Sequence, residues 1–158
     1  MMTCCKMESP IGVLTLVAEE QELKEIRFGG EIYKGEEEGE TPFLRRVAGE
    51  LQEYFLGTRR EFSISLAPEG TEFQKKVWKA LLTIPYGETR SYGEIAGMVG
   101  NDKASRAVGM ANHKNPIPIL IPCHRVIGSN GKLTGYAGGL DKKTALLELE
   151  RSVLKSGK

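Results

Sequence analysis

Cysteine and histidine are scarce in this chain. Among its 158 residues stand three cysteines (Cys4, Cys5 and Cys123), two histidines (His113 and His124) and no Cys-x-x-Cys pair. Two adjacent cysteines and a distant third do not make a disulfide framework, so a reducing compartment is expected, cytoplasmic in a prokaryote or nuclear in a eukaryote. The same scarcity leaves a structural zinc short of ligands, and no metal is expected. Long apolar runs are missing as well. Nowhere do about 18 apolar residues follow one another, and the opening MMTCCKMESP has no apolar stretch, so neither a membrane span nor a signal peptide is expected. What is present is ordinary for a globular protein: 40% hydrophobic and 27% charged residues exclude a disordered or fibrous chain.

Charge is unevenly divided. Residues 1–70 hold 8 Lys/Arg against 14 Asp/Glu, net −6, whereas residues 71–158 hold 14 against 7, net +7. The second half is therefore the one suited to a polyanionic partner.

Hydrophobic pattern divides the chain at the same place. In residues 1–70, GVLTLVA and LKEIRF read as strands, and REFSISL alternates Phe62, Ile64 and Leu66 against Glu61, Ser63 and Ser65, the period of a half-buried strand. Between them TPFLRRVAGELQEYFLG predicts a helix with Thr41 as cap, Pro42 at its first position, an apolar face of Leu44, Val47, Ala48, Leu51 and Phe55, and Gly57 at its end. The order is β, β, α, β, with GGEIYKGEEEGE as an exposed acidic loop.

Residues 71–158 read as short helices. TEFQKKVWKALL opens on a Thr71–Gln74 capping box, and SYGEIAGMV on a Ser91–Glu94 box with a stripe of Tyr92, Ile95, Ala96 and Val99. After a tight turn, KASRAVGMANHKNP makes a third helix, capped by Asp102, so that the pair forms a helix-turn-helix with Ala104 to Asn112 as the recognition element.

Chemistry concentrates in IPILIPCHRVIGSNGKLTGYAGG. An apolar strand runs into Cys123, His124 and Arg125; Pro116, Pro118 and Pro122 stiffen the segment, and five glycines follow in GSNGKLTGYAGG. A thiol at its ordinary pKa is only about 3% thiolate at neutral pH, and the thiolate is the nucleophile. Neighbouring cations are expected to lower that pKa. A thiol, a base, a rigid turn and a glycine-rich lid on the cationic half point to a nucleophilic site acting on DNA.

Together with SYGEIA and SRAVGMAN, the stretch NPIPILIPCHRVIGSNGKLTGYAGGL resembles the O6-alkylguanine-DNA alkyltransferase (methylated-DNA-protein-cysteine methyltransferase) family, without a gap from about Thr71 to Glu150. ESPIGVLTLVAEEQELKEIRF is similar to that family's opening hairpin. The resemblance implies an α/β N-terminal ribonuclease-H-like domain, residues 1–70, and a mostly α C-terminal domain with a helix-turn-helix, residues 71–158. It implies direct-reversal DNA repair by a monomer on double-stranded DNA containing O6-alkylguanine, with O4-alkylthymine a further candidate, and with no cofactor.

Site residues carry over by position. Cys123 would accept the alkyl group, His124 would act on it through a water, and Glu150 would orient His124. Tyr92 would donate to guanine N3, and Asn115 would pin the turn before the strand. Arg106 would replace the extruded nucleotide. Arg125 would join the DNA contacts, while Ala107, Gly109 and Ala111 would allow close approach to a minor groove, with Asn112 and His113 tuning that contact. Tyr136, Val126 and Ala137 would wall the base pocket; some members have a serine where this chain has Ala137. A lesion-binding relative without the thiol is disfavoured by Cys123 itself. A cysteine hydrolase would turn over and would draw its pair from distant parts of the chain.

Overall fold

The computed structural model describes all residues except 129, 132–135, 137, 157 and 158. Ala137 and part of the glycine-rich stretch thus lie outside the described residues. The chain forms two compact units, Met1–Glu69 and Gly70–Lys158. No helix among the described residues is long and apolar enough to cross a membrane.

In the first unit a four-stranded sheet is ordered β3-β2-β1-β4. Its strands are β1 (Met2–Met7), β2 (Leu14–Glu19), β3 (Glu22–Phe28) and β4 (Glu36–Glu38). The first three are antiparallel neighbours, while β4 pairs parallel with β1, Met2 opposite Glu36. Helix α1 (Pro42–Phe55) packs on β1 and β2. Thr41 caps it, its side chain accepting from the Leu44 N–H, and Gly57 follows the end at φ 81°.

Three expectations need correction here. The first is the opening segment, which is a strand: the consecutive Cys4 and Cys5 are both buried, so it is covered on both faces and shows no alternation to read. Second, part of the acidic run is not a free loop. Arg27, itself buried and set over the Tyr33 ring at 3.7 Å, holds the Glu36 carboxylate at 2.7 and 3.0 Å, and with one charge neutralised β4 can join the sheet. Third, REFSISL is not a strand although Ile64 is buried. The Ser63 N–H donates to Glu50 and the Ser63 carbonyl accepts from Arg46, so side chains of α1 take the backbone groups a ladder would need, and only the bridge Leu23–Leu66 remains.

The second unit is mostly helical: α2 (Glu72–Leu81), β5 (Arg90–Ser91), α3 (Tyr92–Met98), α4 (Ser105–His113), a single 3-10 turn (Cys123–Arg125), β6 (Val126–Ile127) and α5 (Leu140–Lys155). Both capping boxes form. Helices α2, α3 and α4 pack on one another, and the buried Trp78 fixes α2 to α4 by donating from Nε1 to the Ala111 carbonyl at 2.8 Å. Helix α4 begins two residues later than Asp102 would require: Ala104 is its cap residue, with no side-chain cap bond.

Candidate active site

The run Ile117–Ile121 is a buried turn and not a strand. Pro118 within it and Pro116 and Pro122 on either side lack the N–H donors that a ladder needs. Asn115 pins the turn from both sides: its Oδ1 accepts from the Ile117 N–H at 2.9 Å, and its Nδ2 donates to the Ile121 carbonyl at 2.8 Å. The fold thereby holds Ile119 at φ 77°, a conformation costly for a β-branched residue. Immediately after, the 3-10 turn presents Cys123, His124 and Arg125, all three buried. Its exit strand β6 pairs parallel with β5, placing Val126 opposite Arg90 at the entrance to α3.

Glu150, fully buried on α5, gathers this turn. His124 Nε2 stands 2.7 Å from its Oε2, Arg125 donates from Nε and Nη2 at 2.9 and 3.0 Å, and the Gly87 N–H donates at 3.0 Å. Gly87 sits at φ 79°, and a Cβ there would collide with Leu154. Burial alone would raise the Glu150 pKa, but hydrogen bonds from His124 and Arg125 hold its carboxyl far below the usual carboxylate range. His124 is pushed the other way: burial lowers its pKa against the pull of Glu150. A neutral imidazole beside a carboxylate donates from Nε2, which leaves the lone pair on Nδ1, buried and without a hydrogen-bond partner among the described residues. Such a pair can act as a base aligned by its carboxylate.

The Cys123 thiol departs from expectation. Cys123 is 3% exposed, and burial pushes its pKa up to about 11. Neighbouring cations do not reverse this, because His124 is neutral and the Arg125 charge is directed at Glu150. The thiolate is favoured instead by a hydrogen bond from the Asn115 side chain and by the field of Lys143. Lys143 was not foreseen from the sequence. It is fully buried, on the same face of α5 as Leu146, Leu147 and Glu150, and its Nζ donates to the Val126 carbonyl at 2.6 Å. The spacing 143, 146, 147, 150 was the available signal: a lysine in the apolar stripe of a helix whose next inward polar residue is Glu150.

Other expected site residues fall in several places. Tyr136 and Val126 are buried, and burial followed by the fields of Cys123 and Glu150 raises the Tyr136 pKa. Tyr92 starts α3, half-buried, and Gly109 of α4 lies against its ring, where a Cβ would stand 3.8 Å from two ring carbons. Arg106 and Ala107 are exposed on α4, as is Met110. Arg125 is a correction: it is 7% exposed and donates to the Ile84 carbonyl at 2.7 Å as well as to Glu150, so its guanidinium is not available to DNA. Ala111 is another, 2% exposed and sharing the buried stripe of Ala104 and Val108. Residues two apart are about 200° apart around a helix axis, so Gly109 faces away from both Ala107 and Ala111 and the three cannot all line one surface. Asn112 likewise points inward, donating from Nδ2 to the Cys123 carbonyl at 3.3 Å. No group of three or more His, Cys, Asp or Glu side chains is placed to hold a metal ion among the described residues.

Comparison with known proteins covers both units. Residues 2–68 match the family description "6-O-methylguanine DNA methyltransferase, ribonuclease-like domain", and residues 72–152 match "6-O-methylguanine DNA methyltransferase, DNA binding domain". A methylated-DNA–protein-cysteine methyltransferase of Methanosarcina acetivorans is 56% identical over 92% of this chain and 96% of its own length. One from Mycobacterium tuberculosis is 53% identical, covering 92% and 90%. Among solved structures, Mycobacterium tuberculosis O6-methylguanine methyltransferase superimposes with a TM-score of 0.89 at 50% identity, over 96% of this chain and 94% of that one. Its complex with DNA gives 0.91 over the same shares. A chain whose two units match the two domains of one family, and whose Cys-His-Arg turn is clasped by a carboxylate 25 to 27 residues on, belongs to the 6-O-methylguanine DNA methyltransferase family.

Proposed function

We propose that this protein repairs DNA by moving the alkyl group of O6-alkylguanine onto Cys123, once per molecule. The observation that carries the reading is the His124–Glu150 contact at 2.7 Å beside a buried Cys123, in a chain of this family. In the step, the thiol proton passes to His124 Nδ1, directly or through one water. Sγ then attacks the alkyl carbon in line: the S–C bond forms, the C–O6 bond breaks, and its electron pair stays on the guanine. Tyr92 donates a hydrogen bond to guanine N3 as charge builds there, and Tyr136 and Val126 wall the base. A stacked O6 cannot reach a buried sulfur, so the nucleotide must be turned out of the duplex, and Arg106, exposed on α4, takes its place. Phosphate contacts from the unit with net charge +7 over residues 71–158 supply most of the affinity. Nothing in the step needs a cofactor or a second subunit, so the protein acts as a monomer on double-stranded DNA, in whichever compartment holds it.

A thioether is a very poor leaving group, so the cycle ends there. Intact-mass analysis after incubation with excess O6-methylguanine duplex tests this. One added methyl per chain, mapped to Cys123 and lost in Cys123→Ala, is expected. A second methyl, or one on Cys4 or Cys5, would overturn the mechanism, and continuing turnover would favour a hydrolase.

A further inference from the structure

Lys143 is a buried charge that the relay above does not use. Its side chain has 0% exposure, and its Nζ is fixed at 2.6 Å from the carbonyl of Val126, three residues beyond Cys123. Keeping an ammonium out of water costs several kcal/mol, and an apolar residue of similar volume fills such a position at less cost. Burial lowers the Lys143 pKa only to about 8, so at neutral pH the group remains mostly a cation. The rest of the buried cluster brings little net charge toward the sulfur: Arg125 is matched to Glu150 by two bonds, and His124 is held neutral. Negative charge must nevertheless build on Sγ in a low-dielectric interior, where an opposite charge acts far more strongly than in water.

We propose that Lys143 is the electrostatic partner of Cys123, its ammonium anchored on the Val126 carbonyl so as to offset the charge that develops on Sγ when the thiol proton leaves. The proposal rests on Cys123 being the alkyl acceptor. Lys143 keeps its proton and forms no bond to carbon; it acts through the sulfur and through the placement of β6. The other titratable groups of this buried cluster are His124 and Arg125 on the turn, Glu150 on α5 and Tyr136 before α5, all retained in the variants below.

The test compares Lys143→Met, which removes the charge at similar volume, with Lys143→Arg, which keeps it. Two readouts are needed: single-turnover methyl transfer followed from about pH 6.5 to about pH 9, and the Kd for lesion duplex. In the parent the rate is expected to fall as the pH rises through about 8, where Lys143 loses its charge. In Lys143→Met transfer is expected to be at least about tenfold slower at neutral pH and to lack that fall, with Kd within about twofold. Lys143→Arg, whose charge persists, should recover much of the rate and also lack the fall. A slow Lys143→Met beside a parent whose rate shows no such fall would reduce Lys143 to a brace for the turn, and an unchanged rate would remove it altogether. Should Lys143→Met not fold, Lys143→Gln takes its place with the same expected changes. Folding by Lys143→Arg alone would place the charge in stability and overturn the proposal. If the parent takes up no methyl on Cys123, the acceptor reading has failed, whereas the pH profile of Cys123 alkylation by iodoacetamide still answers for Lys143.

Discussion

Replacing Glu150 by glutamine preserves shape and removes one charge, and the structure sets the consequence. The carboxylate accepts from His124, twice from Arg125 and from the Gly87 N–H, all within 2.7 to 3.0 Å and away from water. Glutamine leaves the Arg125 guanidinium buried without a counter-ion and turns an N–H₂ toward groups that are themselves donors. Breaking one side of a buried ion pair costs about 3–5 kcal/mol, a large share of the roughly 5–15 kcal/mol that holds a domain together. Transfer should also slow, because His124 loses the partner that keeps its lone pair on Nδ1; roughly tenfold to hundredfold is expected, less than the roughly 10²–10⁴-fold that a general base contributes, because His124 itself remains. Arg125→Met alone should destabilise comparably by orphaning Glu150. The double variant removes both charges, so its loss of stability should fall short of the two single losses combined by about 2 kcal/mol, while its rate stays low. Urea unfolding and single-turnover transfer on lesion duplex measure the two quantities separately. Additive stability losses would refute the ion-pair account, and a rate that recovers along with stability would remove Glu150 from the relay.

Two further outcomes are expected. Arg106→Ala should slow transfer from duplex far more than from a free O6-benzylguanine base, because only a duplex needs its extruded base replaced; equal losses would give Arg106 another task. Stability should decline in acid in two stages, followed by urea midpoints. With the His124 pKa lowered in the folded chain, the unfolded chain alone takes up that proton as the pH falls below about 6.5, so stability starts to drop there. The depressed Glu150 carboxyl stabilises above its ordinary 4.5 and that contribution is lost below it. His124→Gln should flatten the first stage, and a midpoint that stays constant from about pH 7 to pH 5 in the parent would contradict the buried neutral imidazole.

How much of this was legible from residues alone depended on whether the signal was local. Capping boxes at Thr71–Gln74 and Ser91–Glu94 involve residues three apart and were readable as such. The pairing of Cys123 with His124 is adjacent in sequence, and only the family resemblance supplied Glu150 across 26 residues. What could not be read were arrangements set by tertiary partners. Ile117–Ile121 has the composition of a strand, yet Asn115 and the prolines fold it into a turn. Arg125 in a cationic half looks like a DNA contact until Glu150 and the Ile84 carbonyl are seen to occupy it. Arg27 and Glu36, nine residues apart, turn part of an acidic run into an edge strand. In each case the deciding interaction neutralises a charge or satisfies a backbone group, and neither is visible in hydropathy.

Burial of Cys123 bears on what an acceptor used only once requires. A thiol with a pKa near 11 is thiolate in about one molecule in ten thousand at pH 7, against about 3% for an ordinary cysteine, so the resting sulfur is about three hundredfold less available to stray electrophiles. The same burial opposes the transfer, because the thiolate it disfavours is the reacting species. Both demands are met if the stabilising groups are fixed in place and act only when the proton moves. The His124 lone pair, the Asn115 side chain and the Lys143 ammonium are already oriented by Glu150, by the backbone of the 117–121 turn and by the Val126 carbonyl. Moving the proton a short distance from sulfur to imidazole then creates an ion pair with no solvent to reorganise. That pair is unstable at rest and is consumed only when an alkyl carbon stands in line to take the sulfur electrons. On the proposed mechanism, selectivity for an extruded base would therefore follow from a sulfur that is little reactive until an alkyl carbon is placed before it.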